Sequence, residues 1–201
     1  MKKGVLFSLI FFICGLSGII ALVINNFFRK VEVKNLLFID KVNLNREDFG
    51  RKVIDISAKL GISPNWLMAV MYKESGLKHT AKNSWGGAVG LIQFMPSTAV
   101  GLGTNSDKLL SMTNVQQLDY VFKYFEPKKG KYKNYVDLYL ATFFPLAVGK
   151  SLDWVIESKT LSAELIARQN PAISRGSNKI TVRMFHEYAL RGLDKYVSLL
   201  V

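Results

Sequence analysis

Residues 73–99 read KESGLKHTAKNSWGGAVGLIQFMPSTA, and how this stretch folds decides the architecture. Lys73-Glu74-Ser75-Gly76 closes a helical pattern that opens at Ser63-Pro64, a cap followed by proline at the first helical position. Trp66, Leu67, Val70 and Met71 recur along it at helical spacing and predict one apolar side. Gly86, Gly87 and Gly90 then predict a tight loop whose backbone can approach a ligand closely. Pro96 opens a further short helix. Ser84 and Gln93 sit within the loop, Gln93 nineteen residues after Glu74.

The pattern on both sides of this stretch is also helical. Upstream, Asn45 stands where an N-cap belongs. Phe49, Val53, Ile56 and Leu60 follow at spacings of three and four before Gly61 stops the run. Downstream, Thr113 with Gln116 predicts a capping box ahead of Leu118, Val121, Phe122 and Phe125. EPKKGKYKN, residues 126–134, is a basic loop. Asn134 heads an apolar helix from Tyr135 to about Phe144, ended by Pro145. Further helices are expected over 161–168 and 181–200. Strand signals are few and there are no repeats. The expected class is mainly α: one domain over 45–201, preceded by a stalk over 25–44 that carries a strand-like or helical piece packed on the domain.

The amino terminus is of another kind. Gly4 to Ile24 is 21 residues without a charge, behind Lys2 and Lys3. At about 1.5 Å per residue it spans roughly 30 Å, the thickness of a bilayer core. The expectation is a single uncleaved transmembrane helix over 1–24. A signal peptide is the competing reading, but no small-x-small site followed by a polar segment ends the run. Cys14 follows Phe12 and Ile13, lacks the small neighbour that lipidation needs, and reads as an ordinary membrane-helix residue. Lys2 and Lys3 on one side face Arg29, Lys30 and Lys34 on the other, so charge does not set the orientation.

The apolar run also accounts for a mean hydropathy of +0.16. Twenty-seven Lys and Arg against 15 Asp and Glu give a formal charge of +12, of which +10 belongs to the residues from Asn25 onward. Such a chain prefers polyanions. With 49% apolar and 21% charged residues it is neither disordered nor low in complexity. One cysteine excludes an intramolecular disulfide. The two histidines, His79 and His186, lack ligand-spaced partners, and Asn170–Thr181 lacks the acids of a calcium loop. No metal or cofactor is expected. No nucleic-acid-binding motif is visible, so nucleic acid is not expected as a partner.

Glu74 carries the chemistry. In the last turn of its helix it faces the negative end of the helix dipole, and Val70, Met71, Leu91 and Phe94 supply apolar surroundings. Both effects favour the protonated carboxyl. A glycosidase needs such an acid to protonate a leaving sugar oxygen.

Four features now coincide in order: Glu74-Ser75-Gly76 ending a helix; Ser84 ahead of Gly87-Ala88; Gly90-Leu91-Ile92-Gln93; and Met95-Pro96-Ser97-Thr98-Ala99. Together they make the stretch from about Glu47 to Gly103 resemble the soluble lytic transglycosylases and goose-type lysozymes, which share the lysozyme-like fold. The resemblance implies that Glu74 is the single catalytic acid/base. It implies that Ser84 lies near Glu74 and bonds the carboxylate or the muramoyl group, and that Gln93 reaches into the same cleft to contact substrate. The pattern departs from the family at Leu140-Ala-Thr-Phe-Phe-Pro145, where family members carry Ala-Tyr-Asn-Ala-Gly. Phe143 falls at the tyrosine and Phe144 at the asparagine. Phe143 can still stack on a sugar, and Tyr139, one turn earlier, is either the substitute hydroxyl or a core residue.

No Asp or Glu occurs between Ser75 and Ser106. Glycoside hydrolases generally use two carboxylates, whereas a lytic transglycosylase uses one, because the 6-hydroxyl of the substrate's own N-acetylmuramic acid is the nucleophile. The expected reaction is therefore cleavage of the β-1,4 bond between N-acetylmuramic acid and N-acetylglucosamine, leaving a 1,6-anhydro end. A hydrolytic muramidase, or a catalytically silent membrane-tethered glycan binder, is the alternative. The expected partners are peptidoglycan strands and, through the N-terminal helix, the cytoplasmic membrane, with the domain on its periplasmic or wall side.

Overall fold

The computed structural model describes residues 32–84 and 86–201. The expected anchor over 1–24, Cys14, and the first part of the stalk lie outside the described residues. Ten α-helices are described: α1 (Arg46–Leu60), α2 (Pro64–Ser75), α3 (Pro96–Gly101), α4 (Ser106–Ser111), α5 (Asn114–Phe125), α6 (Tyr135–Phe143), α7 (Ala163–Gln169), α8 (Pro171–Ser174), α9 (Val182–Leu190) and α10 (Val197–Leu200). Among the described residues β-structure is limited to isolated bridges, Lys82 with Val89, Val89 with Phe94 and Val155 with Thr181. No helix among them is long and apolar enough to cross a membrane.

Local chemistry sets most helix ends. Thr113 Oγ1 accepts from Gln116 N at 3.2 Å and Gln116 Oε1 accepts from Thr113 N at 2.9 Å, completing the capping box of α5. Asn134 Oδ1 accepts from Asp137 N at 2.9 Å at the start of α6. Gly76 ends α2 at φ +61°, its N–H donating to Tyr72 O at 2.9 Å while Leu77 N donates to Met71 O at 3.3 Å. Two expected caps take other roles. Ser63 makes no side-chain cap bond. Asn45 is left-handed, and its amide donates to Asn114 Oδ1 at 3.3 Å, joining the starts of α1 and α5.

The core gathers around α2. Sequence periodicity predicts one apolar side, but Pro64 and every residue from Leu67 to Met71 are buried. The reason is tertiary: α1, α6 and α10 all pack against α2, leaving little of it to solvent. Phe49, Val53, Ile56 and Leu60 of α1 meet it as expected.

Three details go beyond what periodicity indicates. Within the expected stalk, residues 33–42 form two short 3-10 turns and place Leu36, Leu37, Ile39 and Val42 in the same core. The packed piece of that segment is thus helical, and the domain begins before residue 45. The expected helix over 181–200 is two helices, because Gly192, at φ +77°, turns the chain between α9 and α10. The short helix α4 has no counterpart in the periodicity. Asn105 starts it, accepting from Lys108 N at 2.8 Å.

Candidate active site

The end of α2 opens into a cavity of about 660 Å³. Glu74, half-buried, lies in its wall. Tyr139, Thr142 and Phe143 of α6 also line it; their spacing of three and four residues puts them on one helical face. Phe185 and Tyr188 come from α9, Asn83 and Gln93 from the loop between α2 and α3, and Asn170 from the junction of α7 and α8. Glu74 is the one carboxyl among the described lining residues.

The loop is shaped by its backbone and held from beneath. Val89 and Phe94 exchange two backbone hydrogen bonds, 3.0 and 2.8 Å long, around the turn Gly90-Leu91-Ile92-Gln93. The turn uses left-handed residues at both ends, Gly90 at φ +78° and Gln93 at φ +52°. Glycine enters that region freely, whereas glutamine pays a penalty on the order of 1 kcal/mol. Gln93 Nε2 donates back to Gly90 O at 3.1 Å, and the residue lines the cavity.

Below the turn, fully buried Gln117 of α5 accepts from Leu91 N at 3.0 Å and donates to His79 O at 2.7 Å and Leu109 O at 2.6 Å. Three segments therefore converge on one amide. Gly90 has to be glycine here, since a Cβ would lie 2.6 Å from Gln117 Oε1. Ser75 ties the end of α2 to the same turn, its Oγ 2.9 Å from Leu91 O and 3.0 Å from Met71 O.

Burial raises the Glu74 carboxyl from 4.5 to about 7. Hydrogen bonding from Tyr139 and the Lys73 charge oppose the rise but do not cancel it, and the Thr142 hydroxyl lies 3.4 Å from Oε1. Burial is also the first cause of the upward shift of the Tyr139 phenol, followed by the Glu74 and Tyr188 charges, so Tyr139 stays a neutral donor. Lys73 is lowered by burial and by the Arg191 charge. Its ammonium donates to Arg191 O at 3.2 Å and Tyr188 O at 3.4 Å, and lies 4.8 Å from the centre of the Tyr188 ring.

Of the residues singled out in the sequence, the structure brings Glu74, Gln93, Tyr139 and Phe143 to one cavity. Phe143 stacks on Phe185 with centroids 4.9 Å apart, and Phe144 packs near Trp154 at 6.4 Å. Tyr139 is only 4% exposed and packs edge-on against Phe185. Ser84 does not join them. Gly87 N donates to Asn83 O at 2.9 Å and Gly86 N to Asn83 Oδ1 at 3.2 Å, a tight turn that leaves Ser84 exposed and puts Asn83 in the cavity wall.

Thr142, Lys73 and Gln117 were not anticipated. Thr142 carried a usable signal, three residues after Tyr139 and so on the same face. Gln117 carried one too, four residues before Val121 on the buried side of α5. Lys73 carried none, because its partners lie more than a hundred residues away. Among the described residues no group of three or more His, Cys, Asp or Glu could hold a metal ion.

Residues 52–143, which run from within α1 to the last residue of α6, match the family model described as the transglycosylase SLT domain. No curated protein and no solved structure matches the chain significantly.

Proposed function

We propose that the chain is a lytic transglycosylase in which Glu74 is both acid and base, on the strength of the match of residues 52–143 to the transglycosylase SLT domain, the domain of peptidoglycan lytic transglycosylases and lysozyme-like glycosidases. The supporting observation is a single cavity carboxyl raised to about 7. Near neutral pH a useful share of Glu74 holds its proton, as a general acid must.

In the first half-reaction Glu74 protonates the bridging oxygen as the bond from C1 of N-acetylmuramic acid to that oxygen breaks. The N-acetylglucosamine side leaves with a free hydroxyl. The 6-hydroxyl of the same muramoyl residue then attacks C1, and the Glu74 carboxylate takes its proton. The ring closes as a 1,6-anhydro end and Glu74 returns to its starting state. No water is consumed and no second carboxylate is needed. Gln93 and Phe143 contact the sugars from the cavity wall. Tyr139 acts on Glu74 from below, and Ser84 meets the strand at the outer rim of the loop.

Gly4–Ile24 supports a tether that holds the domain against the outer side of the cytoplasmic membrane. The charge of +10 beyond it suits a polymer bearing peptide carboxylates. Protease added to intact spheroplasts should then digest the domain; complete protection would reverse the orientation.

Two measurements test the chemistry. On gels containing wall sacculi the native chain should clear its band and Glu74→Gln should not; equal clearing removes Glu74 from its role. Mass analysis of the released fragments should find anhydro ends, each one water lighter than a reducing end. Reducing ends throughout would make the enzyme a hydrolytic muramidase.

A further inference from the structure

Thr142 Oγ1 has two oxygen neighbours and one proton. It lies 2.7 Å from Tyr139 O and 3.4 Å from Glu74 Oε1. Two oxygens 2.7 Å apart without a hydrogen between them would repel, so the proton lies on the line to the Tyr139 carbonyl. Threonine commonly bonds back to the preceding helical turn in this way. A hydroxyl committed as donor still has lone pairs. The side of Thr142 that faces Glu74 is therefore an acceptor. Two acceptors facing each other do not bond, so this contact favours the carboxylic acid over the carboxylate.

We propose that Thr142 is a positioning residue for Glu74, accepting a hydrogen bond from the protonated carboxyl and thereby holding it neutral and oriented in the resting enzyme. This rests on Glu74 being the acid and goes beyond it, by identifying what keeps the proton in place. Thr142 sits on the same turn of α6 as Phe143, which has no hydroxyl to offer. The contact is long, so it orients the carboxyl and is readily exchanged for a substrate oxygen.

The other groups acting on Glu74 are accounted for. Lys73, on its own helix, favours the charged form, as does hydrogen bonding from Tyr139 of α6. Tyr135 of α6 and Tyr124 of α5 are neutral phenols shifted upward by burial and by the Glu74 charge. Tyr124 donates to Ala141 O at 2.9 Å and Tyr135 to Ala189 O at 3.2 Å. Tyr188 of α9 acts on Tyr139. Among these neighbours Thr142 is the one whose geometry presents a lone pair.

The direction of a pH shift decides the matter. Thr142→Val keeps the shape and removes the hydroxyl; Thr142→Ser keeps the hydroxyl. The upper limb of the kcat/KM profile on soluble glycan strands reports the acid of the free enzyme. In Thr142→Val it should move down by about half a unit to one unit, the worth of one neutral hydrogen bond, and Thr142→Ser should restore it. A limb that moves up means that Thr142 donates to the carboxylate, and overturns the proposal. A limb that does not move overturns it as well. Should Thr142→Val fold poorly, carbon-13 NMR titration of the Glu74 carboxyl in the native chain and in Thr142→Ala reads the same shift without catalysis. Failure of the underlying assignment looks different, because Glu74→Gln would then still clear sacculi.

Discussion

At the scale of single residues, Glu74 is costly to ionise, and that cost links activity to stability. Unfolded, the carboxyl titrates near 4.5; folded, near 7. Below about 4.5 it is neutral in both states and the fold keeps its full stability. As pH rises through 7 that stability is lost, by roughly 1–3 kcal/mol. Thermal unfolding of Glu74→Gln should therefore show a higher melting temperature than the native chain at pH 8 and little difference at pH 4. An equal offset at both pH values would mean that the carboxyl is not held neutral by the fold. Activity should follow the same titration and decline as pH passes 7, since the acid is then increasingly deprotonated.

At the scale of elements, the loop between α2 and α3 depends on α5. Replacing Gln117 with leucine strands Leu91 N, His79 O and Leu109 O without their shared partner. The expected loss is about 3–5 kcal/mol in urea unfolding, with most of the activity, because Gln93 rides on that turn. Gly90→Ala should have the same character, its Cβ meeting Gln117 Oε1 while the backbone is forced to a positive φ. Thr113→Ala is the contrast. It removes a cap on the same helix, away from the cavity, and should cost about 1 kcal/mol of stability while leaving specific activity unchanged. Loss of activity in Thr113→Ala beyond its loss of folded protein would show that α5 does more than support the loop.

At the scale of the whole molecule, the domain is larger at its amino end than helix periodicity indicates. Leu36, Leu37, Ile39 and Val42 are each at most 9% exposed. A chain beginning at Asn45 loses all four from the core and should be destabilised by several kcal/mol relative to one beginning at Glu32. Equal melting temperatures for the two would mean that residues 33–42 add nothing to the core. Phe38 explains part of the attachment, stacking on Tyr72 of α2 with centroids 4.0 Å apart and meeting Tyr196 edge-on at 5.1 Å. Both ends of the domain thus close over the helix that carries Glu74.

The elements legible in the chain's order of residues are those whose signals are local. Glycine stops, proline starts, the capping box and the three- and four-residue spacing of α1 depend on backbone chemistry within a turn or two. The order Glu74, Gln93, Met95-Pro96 is likewise a linear pattern, and the resemblance to the domain family rests on it. Tertiary structure alone decided what surrounds the carboxyl. Thr142 beside Glu74, Lys73 on the end of α9, Gln117 under the loop and the burial of α2 on all sides depend on contacts between residues distant in sequence, and periodicity carries no information about those partners. Ser84 shows the same limit in the other direction. Its place in the pattern implied the cavity, but a turn closed by Asn83 faces it to solvent, because backbone hydrogen bonds over four residues set its direction more strongly than its position in the pattern.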